Sequence, residues 1–196
     1  MKTLKTIGFW ILSCTWGIVM TLIGAITALV LLITKHQPKR FGPCIYFEVG
    51  KGWGGVELGP FFVISEEAGL NTARHEAGHG IQNIIFGPLM PFVVSIPSAL
   101  RYWVRNWKVA DHKVYFLIAV SLVSILLVVL PLVIIANINI ILWPMFISMG
   151  WIIYVSSLFI WQVFEIKSYC KNRGDKPYDS IWFEGWATKL GSKYVG

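Results

Sequence analysis

The chain divides by the spacing of its apolar and polar positions. Residues 7–33 form an apolar run with no charged side chain. At about 1.5 Å per residue a helix of that length crosses a hydrocarbon core of about 30 Å with some tilt. Lys2 and Lys5 precede it, as they would in a signal peptide. The apolar part of a signal peptide covers only about 7–15 residues, and no small-x-small cleavage site follows here. Residues 1–34 therefore read as an uncleaved first transmembrane helix.

Residues 35–70 change period. The runs 44–49 and 56–64 are rich in β-branched and aromatic residues, with Gly50-Lys51-Gly52-Trp53-Gly54-Gly55 between them. Two such runs about a glycine-rich turn predict a β-hairpin. No G-x-x-x-x-G-K-[ST] pattern is present, so these glycines read as turn geometry and not as a phosphate cradle.

Residues 71–113 open with a helix expected at about 72–86. Asn71 or Thr72 can cap it, and Gly87-Pro88 can stop it. Pro88, Pro91 and Pro97 then break an apolar stretch that ends in Arg101, Tyr102, Trp103, Arg105, Trp107 and Lys108. That pattern suits a segment lying in a membrane interface, or a re-entrant one. In residues 114–164 the stretch 114–163 carries no charge. It is too long for one crossing and suits two, at about 114–135 and 140–163, with a bend near Pro131, Asn137 and Asn139. The tail, 165–196, is polar and basic. It holds a loop at 172–177 and a last helix that Asp179 or Ser180 can cap and Gly191 can end. That helix carries Glu184.

The predicted fold is a mainly α membrane protein, with about three transmembrane helices and a small α+β part containing a β-hairpin. Composition agrees. Hydrophobic residues make up 56% and charged residues 14%, against about 25% charged in a soluble domain. Ten tryptophans and twelve phenylalanines fit bilayer interfaces. The net charge of +7 sits beside apolar segments, so it points to anionic lipid as partner and not to nucleic acid. Cys14, Cys44 and Cys170 are odd in number and lack C-x-x-C spacing, which leaves them as unpaired thiols. Three crossings would put 35–113 and the tail on one side, with nine and six Lys and Arg respectively. The positive-inside rule places that side in the cytoplasm and the N-terminus outside.

The chemistry lies in His75-Glu76-Ala77-Gly78-His79, an H-E-x-x-H motif. On a helix, His75 and His79 project from one face and can hold one Zn²⁺ at about 2.0–2.1 Å each. Glu76 lies beside the first ligand, where a general base can reach a zinc-activated water whose pKa is lowered to about 7. The bland alternative is an amphipathic helix with two solvent-facing histidines. A catalytic site also needs a third ligand. Gln82 and Ile85 stand where metzincins place a glycine and a third histidine, which excludes that class. His36 and His112 are close to membrane ends. Glu184 is the better candidate, on a second helix and on the same side of the membrane.

HEAGH followed by Glu184-Gly185-Trp186-Ala187 resembles the gluzincin metalloproteases, most of all the integral-membrane ones of the HtpX-like and CAAX-prenyl-protease type. The resemblance covers the two motif helices. It implies a zincin-like α+β part at the cytoplasmic face, zinc bound by His75, His79 and Glu184, and Glu76 as the base. A peptide or protein would be the substrate. Where the family has an aspartate that orients a ligand histidine, this chain has Thr188, with Asp179 or Asp175 as possible substitutes. Tyr178, Tyr194 and His112 are candidates for holding the oxyanion. The strand read at 56–64 could offer an edge to an extended peptide. Two other readings stand beside this one: a catalytically inactive zinc-binding adaptor or sensor, and a membrane interaction protein with no metal. Site-2 proteases would need an aspartate in the third membrane helix, and none is there.

Overall fold

The structure is a computed structural model, and it describes residues 2–106, 154 and 178–195. Two compact units form, Met1–Ile96 with Pro177–Gly196, and Pro97–Lys176. The expected membrane helices at 114–135 and 140–163, and the loop at 172–177, lie outside the described residues. What is described is mostly helical, with one small four-stranded sheet.

The first apolar run is two helices and not one. Helix α1 (Lys2–Thr15) and helix α2 (Ile18–Ile33) meet at 98°. Apolarity sets what is buried, not whether the helix stays straight. Gly17 weakens the helix at the break, and packing fixes the bend. The Asn83 side-chain amide donates to the Gly17 carbonyl at 3.4 Å, and the Trp16 indole donates to the Ile85 carbonyl at 3.4 Å. The Thr21 hydroxyl bonds back to the Ser13 and Gly17 carbonyls, which further favours a bend. Among the described residues no single helix is long and apolar enough to cross a membrane. Two bent pairs meet the requirement in summed length and composition only: Thr3–Thr15 with Ile18–Ile33, and Leu70–Leu89 with Pro91–Ala99.

The sheet has strands β1 (Lys39–Phe41), β2 (Cys44–Glu48), β3 (Gly55–Leu58) and β4 (Phe61–Ile64), in the order β1-β2-β4-β3. This corrects the predicted hairpin. The run 56–64 is split by Gly59-Pro60, where Gly59 takes φ 75°, a turn conformation that costs glycine little. β3 and β4 are therefore an antiparallel pair, with Val56 opposite Val63. β4 then returns parallel to β2, pairing Ile45 with Phe61 and Phe47 with Val63. A second antiparallel pair, β1–β2, turns at Gly42-Pro43.

Strand alternation sorts the two faces. Phe47 and Val63 pack with Ala28 and Leu31 of α2. Cys44, Phe62 and Ile64 pack on the other face with Phe9, Ala73 and Ala77. The latter two alanines belong to helix α3 (Leu70–Phe86), the helix expected at 72–86. Its cap is the Gly69 backbone rather than Asn71 or Thr72. Gly87, at φ 57°, ends it as the Gly-Pro pair predicts. A 3₁₀ turn (Gly87–Leu89), a π turn (Pro91–Ser95) and helix α4 (Ile96–Asn106) follow. The last helix, α5 (Trp182–Tyr194), lies against α3. It starts after Ile181 with no side-chain cap from Asp179 or Ser180, and runs through Gly191 instead of stopping there.

Candidate metal centre

The α3–α5 crossing is very close, and small residues make it so. A Cβ on Gly78 would lie 2.7 Å from the Ala187 carbonyl carbon and nearer still to its oxygen. Gly191 meets the Arg74 carbonyl in the same way. Side chains next to these contacts are therefore forced together. His75 and His79 come from α3, and Glu184 comes from the first turn of α5, fully buried.

Their ligating atoms form a compact triangle. His75 Nε2 and His79 Nε2 stand 2.9 and 3.2 Å from Glu184 Oε2, and 3.1 Å from each other. A tetrahedral ion with ligands at about 2.0–2.1 Å holds neighbouring donors roughly 3.3 Å apart. The three residues could hold a metal ion with displacements of a few tenths of an ångström. Two neutral imidazoles and one carboxylate are a donor set that suits Zn²⁺. Among the described residues no other group of histidine, cysteine and carboxylate side chains converges in this way.

Each histidine is oriented from behind. Thr188 donates its hydroxyl to the Glu184 carbonyl at 3.3 Å, so its oxygen is left to accept from His75 Nδ1 at 2.9 Å. Thr188 thus occupies the place of the expected aspartate. Asp179 is exposed, and Asp175 and His112 lie outside the described residues. Gln82, fully buried, donates to the Phe183 carbonyl at 2.8 Å. A carbonyl only accepts, so the Gln82 oxygen faces His79 Nδ1, at 2.7 Å. Both Nδ1 atoms thereby have an acceptor for a proton, which leaves the two Nε2 atoms as the ones a metal ion would take.

Glu76 is buried beside the triangle. Its carboxylate lies where a Cβ on Gly55 would come within 2.6 Å, so only glycine leaves room for it under β3. Burial raises its pKa, His79 and His75 pull it back, and Glu184 adds to the rise. Glu57 of β3 is buried as well and accepts from the Gly59 N–H. Burial pushes it up to about 8, against the pull of His79 and Gly59 and with a further push from Glu76. Burial alone would lower His79. The Glu184 hydrogen bond and charge, helped by Glu76 and Glu57, hold it at about 9. Cys44, buried and raised by the same desolvation and by Glu57, stays a thiol.

Among the described residues, Tyr178 is the oxyanion candidate brought to the site. Its hydroxyl donates to Glu184 Oε1 at 3.2 Å, and its ring centroid lies 6.3 Å from that of His75. Tyr194 is exposed at the far end of α5. His36 pairs with Thr34 after α2. Gln82, Glu57 and Gly55 were not legible as site residues. Gln82 alone carried a signal, since it lies three residues after His79 and so shares its helix face.

Comparison with models of protein families, with curated proteins and with solved structures gives no match to this chain.

Proposed function

We propose that this protein is a membrane-bound, zinc-dependent metallopeptidase of gluzincin type, with its site at the cytoplasmic face. The observation that carries the reading is the convergence of His75 Nε2, His79 Nε2 and Glu184 Oε2 beside a buried Glu76. Zinc held there would supply a Lewis acid that activates water and polarises the scissile carbonyl. The chain's own residues do the rest. Gln82 and Thr188 keep both imidazoles as Nδ1–H tautomers. Glu76, whose pKa is raised by burial, takes the proton from water and passes it to the leaving amine. Tyr178, whose hydroxyl lies 3.2 Å from Glu184 Oε1, would donate to the developing oxyanion. β3 is the outer strand on the Glu76 side of the sheet among the described residues, and it offers backbone groups to an extended peptide.

The competing reading is a zinc site kept only to tie α5 to α3, in an inactive adaptor. The neutral Thr188 at His75 favours it, and Glu76 decides between the two, because a structural site does not need that residue. Glu76→Gln is expected to keep the metal and abolish peptide cleavage in a proteomic comparison of membranes with and without the protein. A cleavage pattern identical to wild type would remove the peptidase reading.

A further inference from the structure

The two N-terminal helices divide cleanly into inner and outer faces. Phe9, Ser13 and Gly17 turn α1 and the bend inward, and Met20, Gly24 and Ala28 do the same for α2. The outer face carries Leu4, Ile7, Ile11, Leu22, Ile26 and Ile33, each 51–75% exposed. No charge interrupts it between residues 7 and 33, and Lys35 and Arg40 stand exposed just beyond. An apolar surface bordered by basic residues suits the acyl region and anionic headgroups of a lipid leaflet.

The same structure disfavours a crossing by this pair. At 14 and 16 residues, the helices reach about 21 and 24 Å, short of the roughly 30 Å hydrocarbon core. If the bent pair did cross, its bend would stand near the midplane and would bring α3 with it, since Asn83 and Ile85 hold Gly17 and Trp16. The inner face of α2 is also fastened to the sheet. Ala28 and Leu31 pack on Phe47 and Val63, and Gly24 lies against the Leu58 carbonyl. That sheet ends in β1 and β3 among the described residues, and it carries the Lys39–Glu48 ion pair on its surface. Open strand edges are not tolerated in hydrocarbon. α2 cannot enter the bilayer core without taking those edges along.

We propose that α1 and α2 lie on one leaflet with their outer faces in lipid, so that Lys5 and Lys35 stay on the same side of the membrane. This rests on the membrane-bound reading above, and it replaces the first spanning helix with an interfacial pair. The N-terminus then joins the site on one side.

The test uses the full chain with Cys14 and Cys170 changed to serine and the buried Cys44 kept. Lys5→Cys, Lys35→Cys and Ile26→Cys are each made in that background and placed in sealed membrane vesicles of known sidedness. A membrane-impermeant maleimide is added from one face, then from the other. Lys5→Cys and Lys35→Cys should label fully from the same face and not from the opposite one. Ile26→Cys should resist the impermeant reagent from both faces and react with a lipid-soluble maleimide. Labelling of residues 5 and 35 from opposite faces would mean that the pair spans, and would overturn the proposal. So would an Ile26→Cys that labels as fully as Lys35→Cys, or one that neither reagent reaches, which would mean water or protein covers that face. Release of the chain by alkaline carbonate would overturn the membrane-bound reading itself, a result distinct from all of these.

Discussion

Gly78→Ala adds one methyl group at the α3–α5 crossing, and its effect follows from distances. The new Cβ would lie 2.7 Å from the Ala187 carbonyl carbon and 3.0 Å from the Gly191 nitrogen, where an ordinary contact begins at 3.4 Å. The Ala187 carbonyl oxygen is nearer still, so relief needs the helices to part by well over about 0.7 Å, and neither obstacle is a flexible side chain. Metal sites accept deviations of only about 0.2 Å in ligand distance. Glu184 and Thr188 flank the contact on α5, and His79 follows Gly78 on α3, so the displacement falls on the ligand set itself. Overpacking costs about 1–3 kcal/mol, while alanine for glycine in a helix returns about 1 kcal/mol. The net cost is about 0–2 kcal/mol, so the metal-free melting temperature should hold or fall by up to about 8 °C. Metal affinity, measured by competition with a chromophoric chelator, should fall on the order of 100-fold. Gly69→Ala, whose Cβ would meet nothing within 4 Å, is the control and should bind as wild type. Wild-type affinity in Gly78→Ala would refute the claim that this crossing sets the ligand spacing.

Three further outcomes are expected. Gln82→Met, which removes the His79 acceptor and the tie to Phe183, should weaken metal binding about 10–100-fold, and Gln82→Glu should recover part of it; equal affinity in all three proteins would remove Gln82 from the centre. Thr188→Val should weaken binding and Thr188→Asp should strengthen it, read by the same competition; the reverse order would contradict the orienting role given to Thr188 at His75. The metal-free protein should lose stability as pH rises. His79 is raised from 6.5 to about 9, so its contribution is complete below about pH 6.5 and is lost through about pH 9. Glu57 is raised from 4.5 to about 8, so the unfolded state ionises first and folding weakens from about pH 4.5 to 8. Melting of the metal-free chain should fall between about pH 5 and 9, with a shallower fall in Glu57→Gln. A melting temperature that climbs over that interval would show that these protonations do not govern stability.

The helical motif was legible because three signals coincide: H-E-x-x-H, the Gly87-Pro88 stop, and a later helix carrying Glu184. Once both histidines share a helix face, a second helix is needed to supply a carboxylate, and the fold brings Glu184 to them. Strand pairing was less legible. The runs at 44–49 and 56–64 carry an extended pattern, but Gly59-Pro60 inside the second run makes the turn, and β2 pairs with β4 in parallel. A local pattern does not say which strand a run will choose. The bend at Gly17 was hidden for a similar reason. An apolar run looks alike whether it crosses a bilayer or folds over a sheet, and Asn83, which receives the bend, lies far along the chain. Gln82 and Glu57 gain their place from tertiary packing, which the linear pattern does not carry.

The most direct test of the account is zinc content per chain, by elemental analysis of purified wild type, His79→Ala, Glu184→Ala and Glu76→Gln. The account predicts one zinc per chain in wild type and in Glu76→Gln, and loss of it in His79→Ala and Glu184→Ala. A wild-type protein prepared without chelator that holds no zinc would contradict the centre. Zinc retained in Glu184→Ala but lost in His79→Ala would contradict the ligand assigned to α5.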